Sequence, residues 1–328
     1  MRAGTLNLIT DVPGLRVGHA TDERAGSGVT TLLGERPLAA GVDVRGGAPG
    51  VRETDTLSPD ALVGQVHAIV LAGGSVFGLA AADGVAETLS AAGTGLKLLE
   101  HTRAIPIVPA AVLHDLGNAG DDCWRASPYH ALGVASVAAA GRQFALGAVG
   151  AGRGARAGRV PGGVGSASLD LGAGVVVGAL VAVNSLGSVF RPDSGSYWAA
   201  PFEIDAEFGG AGFTGGPAID PAPADSRLAD LGDLKPGTST VIGIVATSAS
   251  LTAAECRRLA IMAHDGIARA VRPAHTPFDG DTIFAVASAA TPFPDGGRRA
   301  AEVARLGAAA ADCMARAIAR GVYEARPR

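Results

Sequence analysis

The chain has 328 residues, 48% of them hydrophobic and 18% charged, which is enough apolar material for one large domain or two ordinary ones. Its net charge of -4 comes from 27 basic and 31 acidic residues with no long run of either sign. That balance excludes a nucleic-acid footprint and a polybasic membrane patch.

The three cysteines, Cys123, Cys256 and Cys313, are odd in number, far apart and outside CxxC spacing. Neither structural disulfides nor a zinc site is expected, and a reducing compartment fits. The opening stretch "MRAGTLNLITDVPGLRVGHA" lacks a signal-peptide apolar core of roughly 7–15 residues. No run reaches the ~18 apolar residues of a membrane span. The expectation is a soluble cytoplasmic protein with no membrane or nucleic-acid partner. The 48 glycines, set against 4% aromatics, suit close backbone approach in a tightly layered body.

In chain order, "AIVLAGG" (68–74) reads as a short buried strand, and the Ala-rich "SVFGLAAADGVAETLSAAG" as a helix ending at Gly93 with Ser75 as its cap. "GGSVFG" resembles a nucleophile elbow only superficially, because Phe77 stands where G-x-S-x-G requires Gly. "IPIVPAAVLHDL" (105–116) reads as a strand whose two prolines favour an edge. "SPYHALGVASVAAAG" reads as a helix with Ser127 as N-cap and Pro128 first. In "GAVGAGRGA" (147–155), Gly150, Gly152 and Ala155 with Asp170 mimic a dinucleotide fingerprint. The segment that follows contains Pro161 and no apolar helical stripe, so no nucleotide cofactor is expected.

Residues 172–190 read as a strand pair turning at Asn184-Ser185-Leu186-Gly187, and Asp193 to Gly237 as a long exposed excursion. "TVIGIVATSA" then reads as a strand, and "LTAAECRRLAIMAHDGIARAV" as a helix opened by a Thr252/Glu255 capping box. "DTIFAVASA" (281–289) reads as another strand, followed by a terminal amphipathic helix. The class is layered α/β or α+β.

His264, His275, Asp279 and Asp281 lack the helical i, i+4 spacing of a metal site, so no metal is expected. Asp279 and Asp281 are two apart at a strand mouth, so both carboxylates point the same way. Such a pair can orient a neighbouring amine. Thr238, Ser239 and Thr240 follow Pro236-Gly237. One reading is a linker before a strand. The sharper reading is that one hydroxyl attacks its own preceding peptide bond. The freed α-amine, with a pKa of roughly 7.7–8.0, then serves as base for the hydroxyl beside it.

"ITDVPGLRVGHATD", "GGAPGVRETDTLSP", "LAGGSVFGLAAADGV", "IPIVPAAVLHDL", "VGAGRGARAG", "GGVGSAS", "STVIGIVATSA" and "AHDGIARAVRPAHTPFDGDTIFAVAS" together resemble the L-aminopeptidase/D-esterase family. That family includes the β-peptidyl aminopeptidases and the endo-type nylon-oligomer hydrolase. The resemblance runs from about Ile9 to the terminal helix. It implies an αββα sandwich with central mixed sheets flanked by helices, forming a single catalytic domain over 1–328. Self-cleavage between Ser239 and Thr240 would give fragments 1–239 and 240–328. The nucleophile, counted back from Thr247, is Thr240. Ser239 stands where relatives carry Asn or Gly. Asn184 matches an oxyanion or orienting amide, Asp279 and Asp281 match an Asp-Gly-Asp that holds the nucleophile, and Arg159 falls where many members have Lys. Arg is a fixed charge rather than a proton shuttle. His114 lies near an aromatic pocket position. The implied substrate is a small amide, short peptide, β-peptide or oligoamide, and the implied assembly a homo-oligomer, a tetramer of processed heterodimers. Alternatives are an acyltransferase of ornithine-acetyltransferase type and a non-catalytic scaffold.

Overall fold

A computed structural model describes residues 2–216, 223–230 and 238–326. The strands are β1 (Arg2–Ala3), β2 (Leu15–Asp22), β3 (Ser27–Val44), β4 (Gly50–Arg52), β5 (Gln65–Ala72), β6 (Ala110–Val112), β7 (Arg156–Ala157), β8 (Val160–Pro161), β9 (Gly163–Asp170), β10 (Val176–Asn184), β11 (Thr240–Ala249) and β12 (Thr282–Thr291). The helices are α1 (Ala81–Ala91), α2 (Tyr129–Ala138), α3 (Ala253–Ala270) and α4 (Gly297–Glu324).

Ten strands form one sheet, nine along the hydrogen-bonded path β1-β9-β10-β11-β12-β3-β5-β6-β4 and β2 paired to β3 beside it. The β11–β12 and β5–β6 pairs are parallel and the others antiparallel, so the sheet is mixed. The 18-residue β3 joins two halves: residues 27–34 pair with β2, and residues 39–44 pair with β12 beyond a register shift at Leu33/Leu38.

The cores show how the path folds over. Leu180, Ala182, Ile242, Ile244 and Phe284 from one half pack with Val17, Leu32, Ile69, Leu71 and Ala111 from the other. The opposite face of β9–β12 is covered by α3 and α4. The opposite face of β3, β5 and β6 is covered by α1 and α2. Four layers result, helix–sheet–sheet–helix, as the resemblance implies.

A strand covered on both faces has no polar side to alternate with, which is why "TVIGIVATSA" reads as one apolar run. Val241 and Val245 join the α3/α4 core, while Ile242, Ile244 and Ala246 join the inter-sheet core. Each such aliphatic side chain contributes about 1.5–3 kcal/mol of burial. Close layering also explains some of the glycine content. A Cβ on Gly165 of β9 would lie 1.8 Å from the carbonyl oxygen of Ala317 in α4.

The Thr252/Glu255 capping box of α3 is present, with reciprocal bonds of 3.3 and 2.8 Å. Several local expectations are corrected. Ser75 does not cap α1: it sits at φ 54° heading a 3-10 turn, and the N-cap is Ala80. The N-cap of α2 is Pro128, not Ser127. The expected strand pair in 172–190 is one strand, because β10 finds its partners in β9 and β11. The strand in 105–116 shortens to β6, between β5 and β4, since each proline removes a ladder donor. The described part of the 193–237 excursion has no strand or α-helix, only short 3-10 turns, yet Tyr197, Ala199 and Phe208 are buried in the α3/α4 core. Excursion residues 217–222 and 231–237 lie outside the described residues.

Candidate active site

Thr240 opens β11, and the register places it opposite Asn184, the last residue of β10. On its other side Ser239 pairs in parallel with Asp279, just ahead of β12. Three chain segments far apart in sequence therefore meet at the Ser239–Thr240 peptide. Both residues are buried, at 0% and 2% exposure.

The Thr240 hydroxyl donates to the carbonyl oxygen of Ser239, the peptide group it would attack. The backbone N–H of Gly280 donates to the same oxygen at 2.9 Å. A carbonyl held by a fixed donor is already polarised where negative charge develops during attack. Gly280 must be glycine for steric reasons: a Cβ there would lie 2.8 Å from Thr240 Oγ1 and 2.8 Å from the Ala48 carbonyl oxygen. Residues 279–281 are held from beneath by the 45–48 loop, with Arg45 N–H on the Asp281 carbonyl and Ala48 N–H on that of Asp279, each 2.9 Å. Gly280→Ala should slow formation of any fragment beginning at Thr240 by tenfold or more while the fold survives, since a ~1 Å displacement of reacting groups costs about 100-fold. Timed intact-mass measurements read this directly.

The two aspartates lie beside the Ser239–Thr240 segment, each with its own partners. Asp281 Oδ1 accepts the N–H of Val241 at 2.7 Å, and its Oδ2 accepts His275 Nδ1 at 2.7 Å and the His275 N–H at 3.2 Å. Burial alone would lower the pKa of His275, but the hydrogen bond and charge of Asp281 outweigh it and raise the pKa. The neighbouring His264 packs edge-on against His275 at 4.9 Å, and burial pushes it down to about 4. Asp279 Oδ2 accepts from Thr276 N–H at 2.8 Å and from its hydroxyl at 2.7 Å. Burial, and then the charge of Asp281, push Asp279 up to about 6. Among the described residues these four do not form a metal-sized cage; the one group that converges so closely is Asp121, Asp122 and Cys123, all exposed.

The raised Asp279 has a consequence for stability. Between its ordinary 3.8 and about 6, the folded chain keeps a proton that the unfolded chain has released. Asp279 therefore lowers stability as pH rises through that window, by roughly 3 kcal/mol at most. In uncut Thr240→Ala protein, adding Asp279→Asn should flatten the decline in urea midpoint from pH 4 to 6.5. Parallel pH profiles of the two variants would contradict the assignment.

Asn184 is buried, with its Oδ1 accepting the Arg156 N–H at 2.9 Å. Its Nδ2 donates to the His114 carbonyl at 3.0 Å and the Thr238 carbonyl at 3.3 Å. In the uncut chain, then, Gly280 holds the Ser239 carbonyl and Asn184 holds the one before it. His114 contributes here through its backbone. Arg159 is exposed on the turn between β7 and β8, its Nε donating to the Ala224 carbonyl at 3.1 Å. Its backbone N–H donates to the Asp225 carbonyl at 3.2 Å, which ties it to the 193–237 excursion.

Sequence reasoning missed three groups. His275 stands in the motif containing both aspartates, and a His seven residues before the start of β12 gives no hint of its partner. Gly280 is only the middle of an Asp-Gly-Asp motif in the sequence, which does not show its packing against Thr240. Arg227 comes from the irregular excursion, where no periodicity marks it: it donates to Thr238 O at 3.2 Å and to Asn184 O and Ser185 O at 2.9 Å each.

The profile of peptidase family S58 matches residues 7–328. An uncharacterized aminopeptidase of Mycobacterium tuberculosis is 45% identical over 337 residues, covering 98% of this chain and 95% of its own. A 6-aminohexanoate-oligomer endohydrolase of Kocuria sp. is 30% identical over 326 residues, covering 95% and 84%. Among solved structures, an L-aminopeptidase D-Ala-esterase/amidase from Ochrobactrum anthropi, described as a variant of the Ntn hydrolase fold, aligns with TM-score 0.69 at 22% identity over 97% of this chain and 86% of that one. A beta-aminopeptidase from Burkholderia sp. also aligns with TM-score 0.69, at 24% identity over 97% and 87%. With the layered fold and a profile match over nearly its whole length, the chain belongs to peptidase family S58, as an amide or peptide hydrolase.

Proposed function

We propose that the chain cuts itself between Ser239 and Thr240 and then hydrolyses small amides with Thr240 as an N-terminal nucleophile. The observation that carries this reading is the contact of the Thr240 hydroxyl with its own preceding carbonyl, which Gly280 also holds. In the first step Oγ1 bonds to the Ser239 carbonyl carbon and the C–N bond breaks, with the hydroxyl proton passing to the leaving amine. Water then hydrolyses the resulting ester, leaving a Ser239 carboxylate and a free Thr240 amine.

In turnover that amine, when neutral, takes the hydroxyl proton as Oγ1 attacks a substrate carbonyl. The proton goes on to the departing amine, and water releases the acyl group. The Asp279/Asp281 pair holds the ammonium form, Gly280 N–H and Asn184 supply donors to the oxyanion, and Arg159 adds positive charge at the rim. The names of the relatives point to short peptides, β-peptides or oligoamides as substrates, and none of the four proteins named above is a transferase. The unit of function is one catalytic domain over 1–328, working as a homo-oligomer of processed heterodimers.

Intact-mass measurement on purified protein tests the cut. Two fragments are expected, the smaller beginning TVIGIVATS. A fragment beginning at Ser239 moves the nucleophile by one residue, and an active but permanently uncut chain removes the mechanism.

A further inference from the structure

Arg227 bonds to none of the reacting atoms proposed above, yet it holds the segment being cut. The turn that carries it is itself fixed to the body. The Arg227 N–H donates to the Leu186 carbonyl at 2.9 Å, and the Ser188 hydroxyl donates to the Asp225 carboxylate. From this mooring the guanidinium forks. Nη1 donates to the Thr238 carbonyl at 3.2 Å, and Nη2 to the Asn184 and Ser185 carbonyls at 2.9 Å each. Burial lowers its pKa to about 10, so it stays a cation at neutral pH.

The Thr238 carbonyl lies one peptide before the scissile one and accepts a second bond, from Asn184 Nδ2 at 3.3 Å. Arg227 thus ties the acyl flank of the Ser239–Thr240 peptide to the end of β10. The other flank is held by the β11 ladder. An intramolecular attack needs both flanks fixed, because the reacting atoms must stay aligned. In turnover the acyl group belongs to the substrate, and Thr238 is no longer joined to the reacting carbon. Asn184 then keeps its own supports, the register with Thr240 and the Arg156 N–H at 2.9 Å.

We infer that Arg227 is a positioning residue for self-cleavage alone: it moors the acyl flank of the scissile peptide to β10 until the bond breaks, and later hydrolysis of substrates does not depend on it. This rests on Thr240 as the nucleophile.

The test separates the two rates. Full-length wild type and Arg227→Gln are made by cell-free synthesis, which is then stopped, and timed intact mass follows the cut. Turnover is kcat/KM per cut chain, on whichever of alanyl, β-alanyl and 6-aminohexanoyl p-nitroanilide the wild type cleaves fastest. Arg227→Gln should cut at least tenfold more slowly, the loss expected of a hydrogen bond from a charged donor. Its turnover per cut chain should stay within threefold of wild type. Arg227→Lys should cut at an intermediate rate, since a point charge cannot bridge two segments as the planar fork does. A folded Gln variant that stays uncut shows the expected loss in full, and the Lys variant then supplies the turnover rate. If circular dichroism shows the Gln variant unfolded, both rates of the Lys variant decide. Cutting at the wild-type rate by either folded variant overturns the inference. So does an equal loss in both rates, which would assign Arg227 to support of Asn184 or of the fold. Failure of the underlying reading looks different: wild type then gives no fragment beginning at Thr240.

Discussion

Thr240→Ala is expected to yield one uncut chain of about the full 32.4 kDa with no amide hydrolysis above background. The substitution removes the hydroxyl that contacts the Ser239 carbonyl, so the acyl shift loses its nucleophile. Removing a nucleophile that works as part of a unit lowers turnover on the order of 10⁴–10⁶-fold. The fold should survive, because Thr240 makes its ladder contacts with Asn184 through backbone and register that alanine also supports. The loss of its hydroxyl and methyl costs about 1–2 kcal/mol. Circular dichroism and urea midpoints check the fold, and intact mass and amide turnover check the chemistry. Thr240→Ser should keep partial processing and activity, since it retains a hydroxyl beside its own amine. Full turnover by folded Thr240→Ala protein would exclude the mechanism.

The largest stability effect is expected at Arg316. This residue of α4 is 1% exposed and binds Glu207 through Nε and one terminal nitrogen at 2.5 and 2.9 Å. It also donates to the Ser168 carbonyl and to Asn7 Oδ1, each at 2.9 Å. Arg316→Met leaves the nearly buried Glu207 carboxylate with Asn7, the Ile204 N–H at 3.3 Å and a 3.5 Å contact from Arg320. Removing one partner of a buried pair costs about 3–5 kcal/mol, far more than the pair contributes over an apolar replacement. The urea midpoint should fall accordingly. The double variant Arg316→Met/Glu207→Leu should recover most of the loss, and a double variant as weak as the single would show that packing rather than charge sets the cost.

How much of this was legible in the sequence depends on the range of the interactions. β11, β12, α3 with its capping box, and α4 were readable because an apolar run or a 3.6-residue stripe is a local signal. The four-layer arrangement came through the resemblance, since no local pattern says that β3 runs through both halves of the sheet path. The predicted turn at Asn184-Ser185-Leu186-Gly187 had sound turn chemistry but lost to tertiary pairing with β9 and β11. Ser75 and Ser127 suited caps by composition and were displaced by a 3-10 turn and by Pro128.

Of the candidate site, Asn184, Asp279 and Asp281 gather around Thr240, while Arg159 bonds Ala224 and Asp225 of the excursion. The Asp pair was foreseeable from strand alternation. Their separate partners were not, because His275 bonds Asp281 and Thr276 bonds Asp279, while burial and the charge of Asp281 raise the Asp279 pKa. Arg227 reaches the site from an irregular segment held by neither helical nor strand periodicity, so only coordinates could find it.

Central placement of β11 gives the proposed cut a timing. The hydroxyl lies on its target carbonyl only when β11 is seated between β10 and β12, with Gly280 arriving from forty residues downstream. Residues 1–239 lack β11, β12, α3 and α4, and residues 240–328 lack every strand except β11 and β12, so neither piece holds a complete core. The break would therefore come after assembly of the chain and serve as a covalent record of it. In a fresh preparation, the fraction of molecules still uncut would count those that had not yet reached the native arrangement.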